Sequence, residues 1–191
     1  QTFSPAQFDF VNARLILWSI GPKKQELVRH WGTVVKPGGI MRLTDWEAST
    51  TNSPSFGLLT QYLMQALHAL KRSDSEYRIG IVYQLAPLLQ QAGFSQIITI
   101  PHYVDFSAGT RFHDSYVQDI IQGAVALEQF IVRSGVVDRE AYRECMRQSI
   151  KEVDHPDFLG GHFFLSVLGV KDACSDAGGT GSASHPVDTS H

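Results

Sequence analysis

FDFVNARLILWSIGPKKQELVRHWGTVVKPGGIMRLTDWE occupies residues 8–47. It holds two short apolar bursts, at 8–11 and 40–44, with a helically spaced segment between them. Leu27, Val28, Trp31, Val34 and Val35 recur three and four residues apart, the spacing that puts side chains on one helix face. Pro22 suits the first turn of that helix, where a missing N–H costs nothing. Lys36-Pro37-Gly38-Gly39 is expected to stop it, a glycine taking the left-handed conformation of a helix end. Residues 14–20 read as an extension of the first strand or as one helical turn. The whole stretch therefore predicts strand, helix, strand, the repeating unit of a parallel sheet.

Downstream, EASTTNSPS is a polar loop, and a helix is predicted over 56–70 with Leu58, Leu59, Tyr62, Leu63, Ala66, Leu67 and Leu70 in its buried stripe. A further helix over 82–91 closes on Gly93. SQIITIPHYVDFS alternates like a strand, and Pro101, which has no N–H for a ladder, places that strand at an edge. Helices follow over 114–132 and from Asp138, a residue suited to cap a helix N-terminus. GGHFFLSVLGVKD is a last strand. Residues 172–191, composed mostly of small and polar side chains, are expected to be a disordered tail. Four strands alternating with helices predict a sheet with helices on both faces.

The chain has 191 residues, 43% of them apolar, and a formal net charge of −3 with both signs mixed along it. That length supports one domain with a real core. The charge pattern argues against a nucleic-acid surface, and no apolar run reaches the roughly 18–20 residues of a membrane span. Cys145 and Cys174 are far apart and form no disulfide framework, which with the lack of a secretory leader pattern predicts a cytoplasmic protein.

Ligands of open α/β sheets bind beyond the C-terminal strand ends. That rule selects Asn12, Ala13, Arg14 and Trp18 after the first strand, and Asp45, Trp46 and Glu47 after the second. The eight histidines show no metal-ligand spacing, there is no Cys-x-x-Cys, and no metal site is expected. Asp114 of His113-Asp114 reads as a helix start. Gly160-Gly161 precedes a strand, so it is no phosphate cradle, and no serine lies in a nucleophile elbow.

The segment 8–47 resembles the fourth strand, following helix and fifth strand of class I S-adenosylmethionine-dependent methyltransferases. The Phe8-Asp9-Phe10-Val11 start and the Lys36-Pro37-Gly38-Gly39 turn carry that resemblance. YRIGIVYQLAPLLQQAGFSQI resembles the family's later helix and the Ala-Gly-Phe turn into its sixth strand; HFFLSVLGVKD would be the seventh, antiparallel beside the sixth. The resemblance implies a partial Rossmann-like methyltransferase domain over 1–171, comprising strands four to seven, with a helical insertion over 112–157 before the last, antiparallel strand. It implies S-adenosyl-L-methionine as cofactor, with Asn12, Ala13 and Arg14 near its methionine end. Trp18, Asp45 and Trp46 would line the pocket of a small-molecule acceptor, and the insertion would roof it.

The family's G-x-G-x-G turn and the acidic residue that holds the cofactor's ribose have no counterpart in these 191 residues. The expectation is a fragment lacking the main cofactor-binding half, inactive alone, with its first strand exposed and able to pair in a homodimer. The alternative is a non-catalytic partner or degenerate paralogue that pairs through the same edge. A nicotinamide oxidoreductase is disfavoured by the missing Tyr-x-x-x-Lys pair and dinucleotide fingerprint.

Overall fold

A computed structural model describes residues 3–172; the expected tail is outside the described residues except for Asp172. The elements run β1 (Phe8–Arg14), α1 (Leu17–Ile20), α2 (Lys24–Val34), β2 (Val35–Trp46), β3 (Thr50–Thr51), α3 (Pro54–Ala69), α4 (Leu85–Gln91), β4 (Phe94–Asp105), α5 (His113–Arg133), α6 (Arg139–Val153) and β5 (Gly160–Lys171). Short 3-10 turns at Gly21–Lys23 and Ile81–Gln84 lead into α2 and α4.

β1 pairs parallel with β2, β2 antiparallel with β5, and β5 antiparallel with β4. The spatial order is thus β1, β2, β5, β4, with the antiparallel strand inside the sheet. Among the described residues β4 pairs only with β5, so Pro101 does sit on an edge strand. The polar loop after β2 contains a fifth strand that its composition conceals: Thr50–Thr51 pairs with Gly160–Gly161, continuing past the end of β2.

The Pro-Gly-Gly turn does not end the helix as expected. α2 stops at Val34, and Lys36 to Gly39 bulge within β2. The ladder passes from Phe8 opposite Val35 straight to Phe10 opposite Ile40. The bulge needs its glycines. Gly38 has φ +76°, and a Cβ on Gly39 would lie 2.9 Å from the Lys36 carbonyl and 3.0 Å from that of Asp9. Residues 14–20 resolve into both readings at once: the strand continues to Arg14, and one helical turn follows.

Side chains alternate across a strand, and the register shows which share a face. Phe10, Asn12 and Arg14 lie beside Ile40, Arg42 and Thr44. Thr44 and Trp46 lie beside Ser166 and Phe164, and His162 is two residues further along β5. The other face carries Met41, Leu43 and Val167, all fully buried. They join one core with Val28 of α2 and Leu85, Leu88 and Leu89 of α4.

Helices were expected on both faces. α2 and α4 cover the face of Met41 and Leu43. On the opposite face, α3, α5 and α6 form a layer only at the end bearing Trp46 and His162; Phe10, Ile40, Ile98 and Ile100 remain exposed. The roof is pinned by its caps. Ser53 accepts the Phe56 N–H at the start of α3, and Asp138 accepts the Ala141 N–H at the start of α6. Glu152 of α6 accepts from both Ser53 and Ser55 hydroxyls, tying the two helices together.

Candidate functional site

Beneath that roof is a cavity of about 460 Å³ at the C-terminal ends of β1 and β2, a size suited to a small molecule. Its floor is Trp46, His162 and Phe164; Leu59, Leu63, Ile120, Leu127, Ile131 and Tyr142 line the helical side. The walls are predominantly apolar and aromatic. Trp18 meets Trp46 edge to face at 5.9 Å between centroids, and Trp46 meets His162 the same way at 4.9 Å. Arg14 and Asp119 are the charged lining residues, and both are exposed, which puts them at the mouth.

The sequence-selected residues divide by strand parity. Arg14, Trp18 and Trp46 line the cavity. Ala13 points to the opposite face and packs on the core. Asn12 shares the face of Arg14 but lies one pleat further back, where the Arg42 Nε–H donates to its Oδ1 at 2.8 Å. Asp45 is also on the opposite face and is fully buried. Its carboxylate accepts the N–H groups of Leu17 (3.0 Å), Trp18 (3.2 Å) and Trp46 (3.1 Å). Asp45 therefore positions the turn that presents Trp18 to the cavity. Burial pushes its carboxyl up to about 6, against the pull of those hydrogen bonds. Glu47 holds the chain ahead of α4 by accepting the N–H groups of Ile79 (2.6 Å) and Gly80 (2.8 Å).

Sequence reasoning missed the polar edge of the cavity. His162 Nδ1 is hydrogen-bonded to the Tyr116 hydroxyl at 2.5 Å, and its Nε2 to the Ser49 hydroxyl. Tyr116 stacks on Phe106 at 4.3 Å, the planes within 7°. Phe106 comes this close because Gly160 has no side chain; a Cβ there would overlap the rings of Phe106 and Phe158. Burial lowers the His162 pKa from 6.5 to about 4, so the imidazole is neutral at physiological pH. Burial likewise raises that of the Tyr116 phenol. The one available signal was a histidine opening an apolar strand that had to be buried. Among the described residues no three His, Cys, Asp or Glu cluster as metal ligands, and no helix is long and apolar enough to cross a membrane.

An antiparallel strand inserted beside two parallel ones, with the edge strand beyond it, is the order expected for strands four, five, seven and six. The sheet has the strand order that the resemblance implies for a partial Rossmann-like methyltransferase domain. No family model matches the chain, and no curated protein does. Among solved structures it is similar to phosphoethanolamine N-methyltransferase 2 of Haemonchus contortus in complex with S-adenosyl-L-methionine. The identity is 16% and the TM-score 0.41, over 90% of this chain and 35% of that one. It is similar to the YcgJ protein of Bacillus subtilis at 14% identity and TM-score 0.45, over 91% of this chain and 68% of that one. A third similar structure is the cyclase SpnF, at 16% identity and TM-score 0.43, over 90% of this chain and 53% of that one. The chain thus spans about a third of the first and about half of the third.

Proposed function

We propose that this chain is the acceptor-binding part of an S-adenosylmethionine-dependent methyltransferase that acts on a small, largely apolar molecule. The observation that carries the reading is the aromatic cavity at the strand ends, roofed by the insertion helices. It supports a site where an acceptor is aligned and water excluded, the main requirements for transfer from an already activated methyl group.

The residues present suit one end of the cofactor. Arg14 lies at the cavity mouth with Trp18 and Trp46 beside it, and aromatic faces favour a sulfonium. Asn12 and Ala13 act through the shape of the β1 end. For the nucleoside end this sequence holds no G-x-G-x-G turn and no ribose carboxylate; in this reading they come from sequence outside these 191 residues. When bound, the cofactor supplies a methyl group on a positively charged sulfur. Trp18 and Trp46 wall the space for it, Asp45 holds Trp18 in place from the far face, and the α3–α5–α6 layer excludes water.

The test is calorimetric titration with S-adenosylmethionine, on this chain and on one extended upstream by a glycine-rich strand–turn–helix. Tight binding is expected only of the extended protein, in which Arg14→Ala should lower activity. Micromolar binding by the present chain would place the cofactor site elsewhere.

A second reading, a non-catalytic partner pairing through β1, is favoured by the unpaired edge of that strand and the exposed Phe10. It predicts a stable complex or homodimer and no cofactor affinity in either protein.

A further inference from the structure

The cavity has a hydrogen-bonded polar edge, and its proton count is restrictive. Ser49, His162 and Tyr116 all line the cavity and form one hydrogen-bonded chain, hydroxyl to imidazole to phenol. No other partner is found for the Ser49 or Tyr116 hydroxyl among the described residues. A neutral imidazole carries one N–H. If it is on Nδ1, the imidazole donates to Tyr116 and accepts from Ser49. The phenol O–H is then left to donate, and the Ser49 oxygen to accept. If it is on Nε2, the roles exchange: Ser49 donates outward and the Tyr116 oxygen accepts. Either way the edge offers one spare O–H donor and one spare oxygen acceptor, and no charge.

We propose that this Ser49–His162–Tyr116 edge is a recognition site for the hydroxyl of an aromatic alcohol whose ring occupies the apolar cavity. The hydroxyl is the small group that both donates and accepts, so it can meet either end of the chain in either tautomer. The charges of Arg14 and Asp119 reach the Tyr116 phenol with opposite effects and both side chains are exposed at the mouth, so a carboxylate or ammonium finds no buried counter-charge here. The aromatic surround of Trp18, Trp46 and Phe164 suits a flat ring. The rigid stack of Phe106 on Tyr116 holds the phenol where it is, so the edge is formed before a ligand arrives. The lowered His162 pKa keeps the edge neutral through the physiological range. The inference names an acceptor class for the function proposed above and rests on that reading only for what happens to the hydroxyl afterwards; the binding itself requires no cofactor.

Equilibrium dialysis of the chain against 2-naphthol and against 2-methylnaphthalene, which replaces the hydroxyl by a methyl group of similar size, tests it. The expected result is naphthol binding at least tenfold tighter. In His162→Phe that preference should vanish, with 2-methylnaphthalene affinity within twofold of wild type, which also reports an intact cavity. Tyr116→Phe and Ser49→Ala should each reduce the preference, and they decide the matter if His162→Phe does not fold. Equal affinity for the two compounds, binding of neither, or a preference that survives all three substitutions would overturn the proposal. Naphthol selectivity without S-adenosylmethionine binding by the extended protein would leave the hydroxyl site standing and remove methyl transfer.

Discussion

Replacing Asp45 by Asn should stabilise the protein at alkaline pH and not at acid pH. The carboxyl is fully buried and its pKa is raised from 3.8 to about 6, burial outweighing its three backbone hydrogen bonds. A folded pKa above the unfolded one means that the native state holds the proton more tightly. The stability from this group is full below the unfolded value and lost as pH rises through about 6. At ~1.36 kcal/mol per unit, ionisation costs the fold about 3 kcal/mol at pH 8 and about 0.5 kcal/mol at pH 4. Asn keeps an oxygen for the N–H groups of Leu17 and Trp18 and cannot ionise. Its amide turns a donor toward the Trp46 N–H, a loss of about 1 kcal/mol. Asp45→Asn should therefore be about 2 kcal/mol more stable than wild type at pH 8 and about 0.5 kcal/mol less stable at pH 4. Urea unfolding at both pH values, followed by tryptophan fluorescence, measures this. His162 titrates in both proteins with the opposite sign. Its folded pKa is depressed, so its contribution is full above 6.5 and lost on acidification, and it cancels in the difference. A stability difference that is the same at pH 4 and pH 8, or a less stable variant at pH 8, would refute the reasoning.

Glu152→Gln should cost about 2 kcal/mol, because a carboxylate bonded to two hydroxyls and the Ser55 N–H becomes an amide with one acceptor; the fall in Tm is the readout. Burial raises the Glu152 pKa, but the bonds from Ser53 and Ser55 lower it more, so this clamp should weaken as pH falls through the carboxylate range. Gly160→Ala should destabilise by about 1–3 kcal/mol by overpacking Phe106 and Phe158, and should weaken naphthol binding in dialysis as the Phe106–Tyr116 stack is displaced. Phe10→Lys, on the edge strand β1, should reduce self-association measured by sedimentation velocity, with unchanged circular dichroism.

Spacing along the chain was enough to place the helices and the edge position of Pro101, because periodicity, caps and proline are local constraints; the strand order came from the resemblance to methyltransferases and not from spacing. Leu59, Leu63 and Leu67 fall on one face of α3 whatever packs against them. Asp138 caps α6 from within three residues. The same local logic could have separated Trp46 from Asp45 and Arg14 from Ala13, since neighbours on a strand face opposite ways; grouping them by nearness to a strand end ignored that alternation. The bulge at Lys36 to Gly39 was not legible, because Pro-Gly-Gly ends a helix or interrupts a strand equally well and only the pairing of Phe10 with Ile40 decides. Nor was the polar edge of the cavity. Ser49 and His162 are 113 residues apart, and Tyr116 and His162 are 46 apart. Their meeting depends on the register of β3 and β5 and on the docking of α5, long-range contacts whose geometry leaves no period in the sequence. Apart from β3 and the bulge in β2, the sequence by itself determined which segments are strands and helices and which strand ends could hold a ligand. Only the tertiary structure decided which side chains face one another there, because that depends on register and packing between segments far apart in the chain.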